Sequence, residues 1–420
     1  MNDLTYQRQF TLGNSLARKF LFTFLQVLVL GSLLLISSAK ATIEVPLYEN
    51  VVDDTTDPLT TKIAYGIYVK VGAGGTPELF QFDTGNGSFE AGYASNAPSQ
   101  NQFWGAVTPV STNVITNSFG PNTLYSTTVS ADLTLSDSSG SNLVSIPSVN
   151  VAQTFDAEGG HIYTNWNQAL SNGAPPLLGT YYGDFGADLE AGSPANTPSN
   201  QQLFSALGQI PGLVGFGISL SGTKPTLTLA FTNDQIYINS FTNLANLQSG
   251  DGGTFPGTGL PTYTEHNLTP PSFSVNGNIV SNINGGSAIS GVFDTGGLGF
   301  QIPSSSNLPS GLVDSNGNIT SGNEFSVNFS GATNVGGTNY SDFQLNFTTG
   351  TNEGVNLVTT SDETDHLNYG PAIFDYYNVF YNLQNGTVGF SGVPEPSTYA
   401  LFGLSALALV IAFRRRRRVF

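Results

Sequence analysis

Phe82-Asp83-Thr84-Gly85 and Phe293-Asp294-Thr295-Gly296 are two copies of one four-residue motif. Each copy places an aspartate after an apolar residue and before a small hydroxyl residue and a glycine. Because glycine allows close backbone approach, an aspartate at the tip of such a turn can accept hydrogen bonds from backbone N–H groups. The repeat therefore predicts two halves of the chain that each present one carboxylate from a tight turn.

Two carboxylates brought face to face can share a proton. The ionised one can then draw a proton from a water held between them, while the protonated one polarises a substrate carbonyl. The repeat thus indicates paired-aspartate hydrolysis. The alternative is that Asp-Thr-Gly only forms turns, which are common in a chain with 49 glycines.

The composition of the 420-residue chain favours an all-β protein of two or three lobes. Hydrophobic residues make up 39%, and Gly, Asn, Ser and Thr are abundant, as in short strands joined by tight turns. Residues 42–394 contain 27 acids and three lysines, a balance that repels nucleic acid and anionic lipid. The chain has no cysteine, which excludes disulfides and thiolate metal sites.

Alternation of apolar and polar residues predicts the strands around the two motifs. Two strands within residues 60–82 lead to the first aspartate, and a hairpin is expected at about residues 112–135. Further strands are expected at residues 325–329, 343–347 and 379–390.

The domain division follows from the position of each motif. We predict an N-terminal lobe at residues 42–225 and a C-terminal lobe at residues 226–392. Residues 155–205 lose the alternation and collect Gly, Pro, Asn and Ser, so we predict a long surface insertion there.

The first 41 residues have the pattern of a secretory signal. Arg18-Lys19 precedes an apolar run from Phe20 to Ile36, and Ala39-Lys40-Ala41 supplies the small-x-small pattern of a cleavage site. We predict a signal peptide at residues 1–41 that signal peptidase removes during export across the inner membrane. The alternative is an uncleaved membrane anchor.

Residues 393–420 combine Pro394-Glu395-Pro396, an apolar run from Tyr399 to Phe413, and the arginines 414–418. The apolar run is short for a membrane span, and the arginines would hold its end on the cytoplasmic side during transient insertion. The segment resembles the PEP-CTERM sorting signal of Gram-negative bacteria in all three parts and in their order. The resemblance implies recognition by an exosortase and delivery to the cell surface, outer membrane or extracellular matrix; a plain tail anchor is the alternative.

Residues 60–391 resemble the pepsin-like aspartic peptidases. The two Asp-Thr-Gly motifs match the catalytic signatures, and Leu213-Val214-Gly215 matches the apolar-apolar-Gly element that crosses behind the first motif. The segment from Tyr369-Gly370 to Phe390 is similar to the closing segment of the family. The resemblance implies a bilobal all-β fold with a central cleft between two β-rich lobes. It also implies Asp83 and Asp294 as the catalytic pair and neither a metal nor an organic cofactor.

The same resemblance implies supporting residues. Thr84 and Thr295 would hydrogen-bond across the lobe junction, and Gly85 and Gly296 would complete the turns. The hairpin near Phe119-Gly120 would be the flap over a bound peptide, with Tyr125 in place of the flap tyrosine.

Two supporting positions depart from the family pattern. The family has Ser or Thr after each glycine, and its hydroxyl bonds the neighbouring aspartate, whereas this chain has Asn86 and Gly297. Asn86 could still donate to Asp83, but Gly297 offers no side chain to Asp294. The missing bond predicts a pH optimum displaced toward weakly acidic values.

Two function classes follow. The first is an exported, surface-associated aspartic endopeptidase that acts as a monomer on extended polypeptides and has no nucleic-acid partner. The second is a catalytically inactive protein on the same fold that serves the extracellular matrix or binds a partner. An unrelated β-sandwich matrix protein is a third, less favoured class.

Overall fold

A computed structural model describes most of the segment between the two predicted export signals. It covers residues 42–53, 61–97, 103–119, 121–162, 165–190, 197–198, 201–221, 224–264, 268–270, 272–280, 290–297, 299–303, 306, 308–315, 319–333, 339–348, 358–361 and 366–392. The predicted signal peptide and sorting signal lie outside these residues. Within them, no helix has the length and apolar character needed to cross a membrane.

The described chain is all-β, as the composition predicts. Its first strands are β1 (Ile43–Pro46), β2 (Tyr48–Asp53), β3 (Thr61–Val71), β4 (Glu78–Asp83), β5 (Phe89–Gly92), β6 (Thr108–Pro109), β7 (Ile115–Phe119), β8 (Asn122–Ser136), β9 (Asn142–Gly159), β10 (Gly183–Gly186), β11 (Leu213–Ser219), β12 (Thr226–Phe231) and β13 (Asn243–Asn246).

The later strands begin with a short hairpin pair. They are β14 (Ser249–Thr254), β15 (Pro261–Tyr263), β16 (Ser272–Val275), β17 (Asn278–Ile279), β18 (Gly291–Val292), β19 (Phe300–Pro303), β20 (Glu324–Phe329), β21 (Phe343–Thr348), β22 (Val358–Ser361), β23 (Leu367–Asn368), β24 (Tyr377–Asn382) and β25 (Thr387–Gly392). The helical segments are α1 (Trp166–Ser171), α2 (Gln235–Ile238) and the 3₁₀ turns Leu207–Gln209 and Gly370–Asp375.

A nine-stranded sheet carries the first motif. Its main order is β2-β3-β4-β10-β5-β9-β8-β6, with β7 paired to β8. Asp83 is the last residue of β4, which lies antiparallel to β3 and parallel to β10. Phe80, Phe82, Phe89 and Phe185 contact one another by ring packing beneath this turn. The aromatic core therefore fixes the strand end from which Asp83 projects.

Residues 155–190 correct the predicted surface insertion. They contain the end of β9, helix α1 and strand β10, and all four residues of β10 are buried at the centre of the nine-stranded sheet. Trp166 of α1 and Tyr181 just before β10 are fully buried. The prediction was wrong because a strand that is buried on both faces shows no alternation of apolar and polar residues. The sequence of β10, Gly-Asp-Phe-Gly, is also typical of a loop.

The element behind the first motif is also corrected. Strand β10 runs parallel to β4, with Phe185 opposite Phe82 and Gly186 opposite Asp83. Leu213-Val214-Gly215, which the sequence assigned to this place, instead opens β11, which pairs with β12 and β24. Asp184-Phe185-Gly186 is therefore the segment that crosses behind Asp83.

A six-stranded sheet joins early and late parts of the chain. Its order is β1-β12-β11-β24-β25-β13, so strands from both predicted lobes lie in one hydrogen-bonded layer. The strands predicted within residues 379–390 are present as the antiparallel pair β24 and β25, which a turn at residues 383–386 joins. The lobe boundaries at residues 225 and 392 stay a prediction.

The second motif belongs to a smaller four-stranded sheet of order β18-β23-β19-β22. Strand β18 ends at Val292, two residues before Asp294, and runs parallel to β23. A neighbouring sheet, β17-β16-β20-β21, contains the strands predicted at residues 325–329 and 343–347. Each aspartate thus follows a strand that has a parallel partner from later in the chain.

Candidate active site

The structure brings the two Asp-Thr-Gly turns face to face. A methyl group added at Gly85 would lie 2.6 Å from Cγ of Asp294, and one added at Gly296 would overlap the carboxyl group of Asp83. The two carboxyl groups are within hydrogen-bond reach of each other. Only glycine allows each turn to lie this close to the opposite carboxylate.

Thr84 and Thr295 link the two turns reciprocally. The backbone N–H of Thr84 donates to Oγ1 of Thr295 at 3.1 Å, and the backbone N–H of Thr295 donates to Oγ1 of Thr84 at 3.0 Å. Oγ1 of Thr295 donates to the carbonyl of Phe82 at 2.8 Å, and Oγ1 of Thr84 donates to the carbonyl of Phe293. Both threonines are buried, so these are the cross-junction bonds that the resemblance implied.

Asp294 accepts hydrogen bonds from three N–H donors. The backbone N–H groups of Gly296 and Gly297 donate to its Oδ1 at 2.9 and 2.7 Å, and Nδ2 of Asn368 donates to its Oδ2 at 2.6 Å. The amide of Asn368 is oriented by the N–H of Gly370, which donates to its Oδ1 at 2.8 Å. A side chain at residue 297 is also excluded, because its Cβ would lie 2.9 Å from Oδ2 of Asp294.

Asn368 is a site residue that sequence reasoning missed. Gly297 offers no side chain to Asp294, and strand β23 supplies the side-chain donor from behind the turn instead. The available signal was its place two residues before Gly370, in the segment that resembles the family's closing sequence.

Asp83 has fewer donors, and Asn86 is not among them. The N–H of Gly85 donates to Oδ1 of Asp83 at 2.6 Å. Nδ2 of Asn86 donates instead to Oε2 of Glu90 at 2.8 Å and to Oδ2 of Asp184 at 3.1 Å. The expected Asn86–Asp83 bond was wrong because these two acids occupy both N–H bonds of the amide.

The surroundings of Asp83 are acidic and buried. Asp83 is 6% exposed, while Asp184 and Glu90 are 0% exposed. Burial raises the pKa of Asp83 well above its usual range, and the nearby carboxylates of Asp294 and Asp184 raise it further. Burial likewise raises the pKa of Glu90 to about 7, although hydrogen bonds from Ser88, Asn117 and Asn86 lower it.

The predicted flap corresponds to the hairpin of β7 and β8. Phe119 pairs with Asn122 through the backbone, while the Phe119 side chain and all of Gly120 lie outside the described residues. The hydroxyl of Tyr125 donates to Oε1 of Glu158 on β9 at 2.8 Å. The roles of Phe119, Gly120 and Tyr125 as flap residues stay predictions.

Asn117 is the hairpin residue that contacts the acids behind Asp83. Its Nδ2 donates to Oε1 of Glu90 at 2.7 Å and to Oγ of Ser88 at 2.9 Å. Sequence reasoning missed it, since an isolated Asn in a polar strand carries no distinguishing signal.

The described part of the chain contains no group of three or more His, Cys, Asp or Glu side chains that could hold a metal ion.

The comparisons bear on the C-terminal end of the chain. Residues 392–417 match the PEP-CTERM protein-sorting motif, which confirms the prediction for Pro394, Glu395 and Pro396. The motif indicates an exported protein that an exosortase recognises and that is sorted to the cell surface of a Gram-negative bacterium. No curated protein matches the chain.

Proposed function

We propose that the exported part of this chain is an aspartic endopeptidase that cleaves peptide bonds with a water activated between Asp83 and Asp294. The observation that carries this proposal is the reciprocal packing of the two turns. Gly85 lies against Asp294 and Gly296 against Asp83, with both carboxyl groups within hydrogen-bond reach. Two separate turns that merely reverse the chain have no reason to meet with their acids facing.

We also propose that the β-sheets form a bilobal fold of the pepsin-like kind, with a central cleft between two lobes. The support is the matched construction of the two turns, since β10 runs parallel behind β4 and β23 runs parallel behind β18. The six-stranded sheet, which draws strands from both halves, would be the base that joins the lobes.

The contacts suggest different roles for the two aspartates. Three N–H donors direct positive partial charge at Asp294, and Asp83 lies between two other carboxyl groups. In the proposed mechanism Asp83 therefore carries the shared proton and Asp294 is ionised. Asp294 removes a proton from the water, and the water oxygen attacks the carbonyl carbon. Asp83 donates its proton to the carbonyl oxygen, which gives a tetrahedral intermediate. As the C–N bond breaks, Asp294 gives the proton it took from water to the leaving amine nitrogen, and Asp83 recovers a proton from a hydroxyl group of the intermediate.

The second candidate is an inactive protein on the same fold that acts in the matrix or as a binding module. The observation that favours it is the orientation of Asn86, which bonds Glu90 and Asp184 and leaves Asp83 without a side-chain amide donor. In this case the buried acids would be retained for structure, and the dyad would hold no reactive water.

Proteolysis by the mature secreted protein separates the two candidates. An unfolded polypeptide should be cleaved between about pH 3 and 7, and Asp83→Asn and Asp294→Asn should each abolish cleavage, because either removes the shared-proton state. Asp132→Asn is the matched control, since Asp132 is exposed on β8. A pepstatin-type inhibitor, which imitates the transition state, should bind the wild type tightly.

The outcomes are distinct. Cleavage that survives either dyad variant contradicts the peptidase proposal. A wild type that neither cleaves nor binds the inhibitor at any pH favours the inactive candidate.

A further inference from the structure

Asp184 occupies a position where a charged side chain is unexpected. It lies in β10, in the middle of the nine-stranded sheet, and it is 0% exposed. Fully buried acids are rare in proteins unless they are paired. Within the described part of the chain, no lysine or arginine pairs with Asp184.

Three other carboxyl groups act on Asp184. Asp83 of β4 is within hydrogen-bond reach of it, and Glu90 of β5 and Asp294 of the opposite turn are close enough for their charges to raise its pKa beyond the effect of burial. Its Oδ2 accepts a hydrogen bond from Asn86. Its Oδ1 is buried and receives no hydrogen bond from a donor group among the described residues.

A proton on the Asp83–Asp184 pair explains how two carboxyl groups can be buried in contact. Two ionised carboxylates in contact repel each other and leave buried oxygens without donors, whereas one shared proton turns the same contact into a hydrogen bond. Burial and the charge of Glu90 both raise the pKa of Asp184 well above its usual range, which favours the protonated form.

Glu90 continues the network toward the hairpin. Its Oε1 accepts hydrogen bonds from Ser88 Oγ and Asn117 Nδ2, and its Oε2 accepts one from Asn86. Burial raises the pKa of Glu90 to about 7 although these donors lower it, so Glu90 is protonated at acidic pH and ionised above about pH 7. Where Glu90 is ionised, its charge disfavours a second charge on Asp184 and favours a proton between Asp184 and Asp83.

We propose that Asp184 is a positioning residue that shares a proton with Asp83 and replaces the hydroxyl absent after Gly85. Asn86 bridges Asp184 to Glu90, and Asn117 extends this network to the β7–β8 hairpin. Proton sharing stands on the buried contacts alone, whereas its effect on cleavage rests on the proposed peptidase function.

The first test measures proton release on unfolding of the mature secreted protein, from the pH dependence of its stability. A carboxyl group with a raised pKa in the folded state stabilises the fold at low pH, and this contribution is lost as the pH rises through the folded pKa. Unfolding of the wild type should therefore release protons above the ordinary carboxyl pKa of about 4, and Asp184→Asn should release about one fewer. Asp132→Asn, on the exposed face of β8, should match the wild type.

The sharing itself is tested by a double-variant cycle. In the Asp83→Asn background, Asp184→Asn should change proton release by less than half as much as in the wild type, because the partner of the shared proton is gone. Equal changes in both backgrounds would overturn the proposal. If Asp184→Asn does not fold, infrared spectra of the wild type and of Asp83→Asn decide, since the shared proton requires a protonated-carboxyl band that Asp83→Asn removes. Burial raises the pKa of Glu90 and of Asp375 to about 7, and their bands appear in both proteins and cancel in the difference. A band that is unchanged in Asp83→Asn would overturn the proposal.

A second readout separates this proposal from the peptidase function. If the wild type cleaves, Asp184→Asn should move the alkaline limb of the pH profile of kcat/KM to lower pH. The amide of the new asparagine donates to ionised Asp83 and so lowers the pKa of Asp83. An unmoved limb would overturn the positioning role. If the wild type shows no cleavage while proton release behaves as expected, the peptidase proposal fails and the shared proton stands.

Discussion

The two Asp-Thr-Gly turns have the same sequence and matching local geometry, but the strands behind them differ. Behind Asp83, strand β10 supplies Asp184, and the acid Glu90 follows nearby. Behind Asp294, strand β23 supplies Asn368, whose amide donates directly to the carboxylate. Asp83 is buried whereas Asp294 is half-exposed. The motif therefore determines the geometry of the turn, whereas the side chain on the strand behind the turn determines which carboxyl group holds a proton.

The largest effect is expected where the turns meet. Gly296→Ala places a methyl group on the carboxyl of Asp83, so the dyad cannot close and cleavage should fall by at least about a hundredfold. Gly392→Ala, where no atom lies within 4 Å of an added methyl group, is the control. Wild-type kinetics in Gly296→Ala would show that the two turns do not meet in solution.

The next largest effect concerns the donor unique to the second turn. Asn368→Ala removes the hydrogen bond to Oδ2 of Asp294, and bonds to charged groups contribute about 1.5 to 3 kcal/mol, so kcat/KM should fall about 10- to 100-fold. Asn328→Ala, which removes an amide that bonds Ser272 in β16, is the matched control. Equal losses in both variants would mean that Asn368 acts only on stability.

A smaller effect of similar size is expected at each of the two threonines that link the turns. Thr84→Val and Thr295→Val each leave a buried backbone N–H of the opposite turn without its acceptor, which costs about 1 to 3 kcal/mol of unfolding free energy. Because both variants break the same bond set, the double variant should lose less than the sum. Denaturant unfolding measures this, with Thr134→Val on β8 as control; strict additivity would contradict the reciprocal link.

The smallest effect is expected at Asn117, in the network of acids behind Asp83. Asn117→Ala removes one of the donors to ionised Glu90, so the pKa of Glu90 should rise above its value of about 7. Because a raised carboxyl pKa stabilises the fold at low pH and this contribution is lost as the pH rises through the folded pKa, the loss of stability should extend to a higher pH than in the wild type. Thermal unfolding at a series of pH values tests this, with exposed Ser118→Ala as control. No displacement would remove Asn117 from the network.

Much of the sheet structure could be predicted from the chain. Strand β21 and the end of β3 alternate apolar and polar residues because one face of each is buried, and that alternation is visible in the local sequence. Strand β10 shows no such pattern because neighbours cover it on both sides. The Gly-Asp-Phe-Gly sequence of β10 therefore predicts a surface loop, although the strand is buried.

The candidate site divides in the same way. The sequence by itself determined the two turns and the sorting signal, because each depends on a short contiguous pattern. The bonds between Thr84 and Thr295, which lie 211 residues apart, were implied only by the family resemblance. Only the tertiary structure decided that Asn86 bonds Glu90 and Asp184, and that Asn368 bonds Asp294. Those partners lie four, 98 and 74 residues apart along the chain. A side-chain amide bonds whichever acceptor the packed strands place within about 3 Å, and only the assembled sheets determine which acceptor that is.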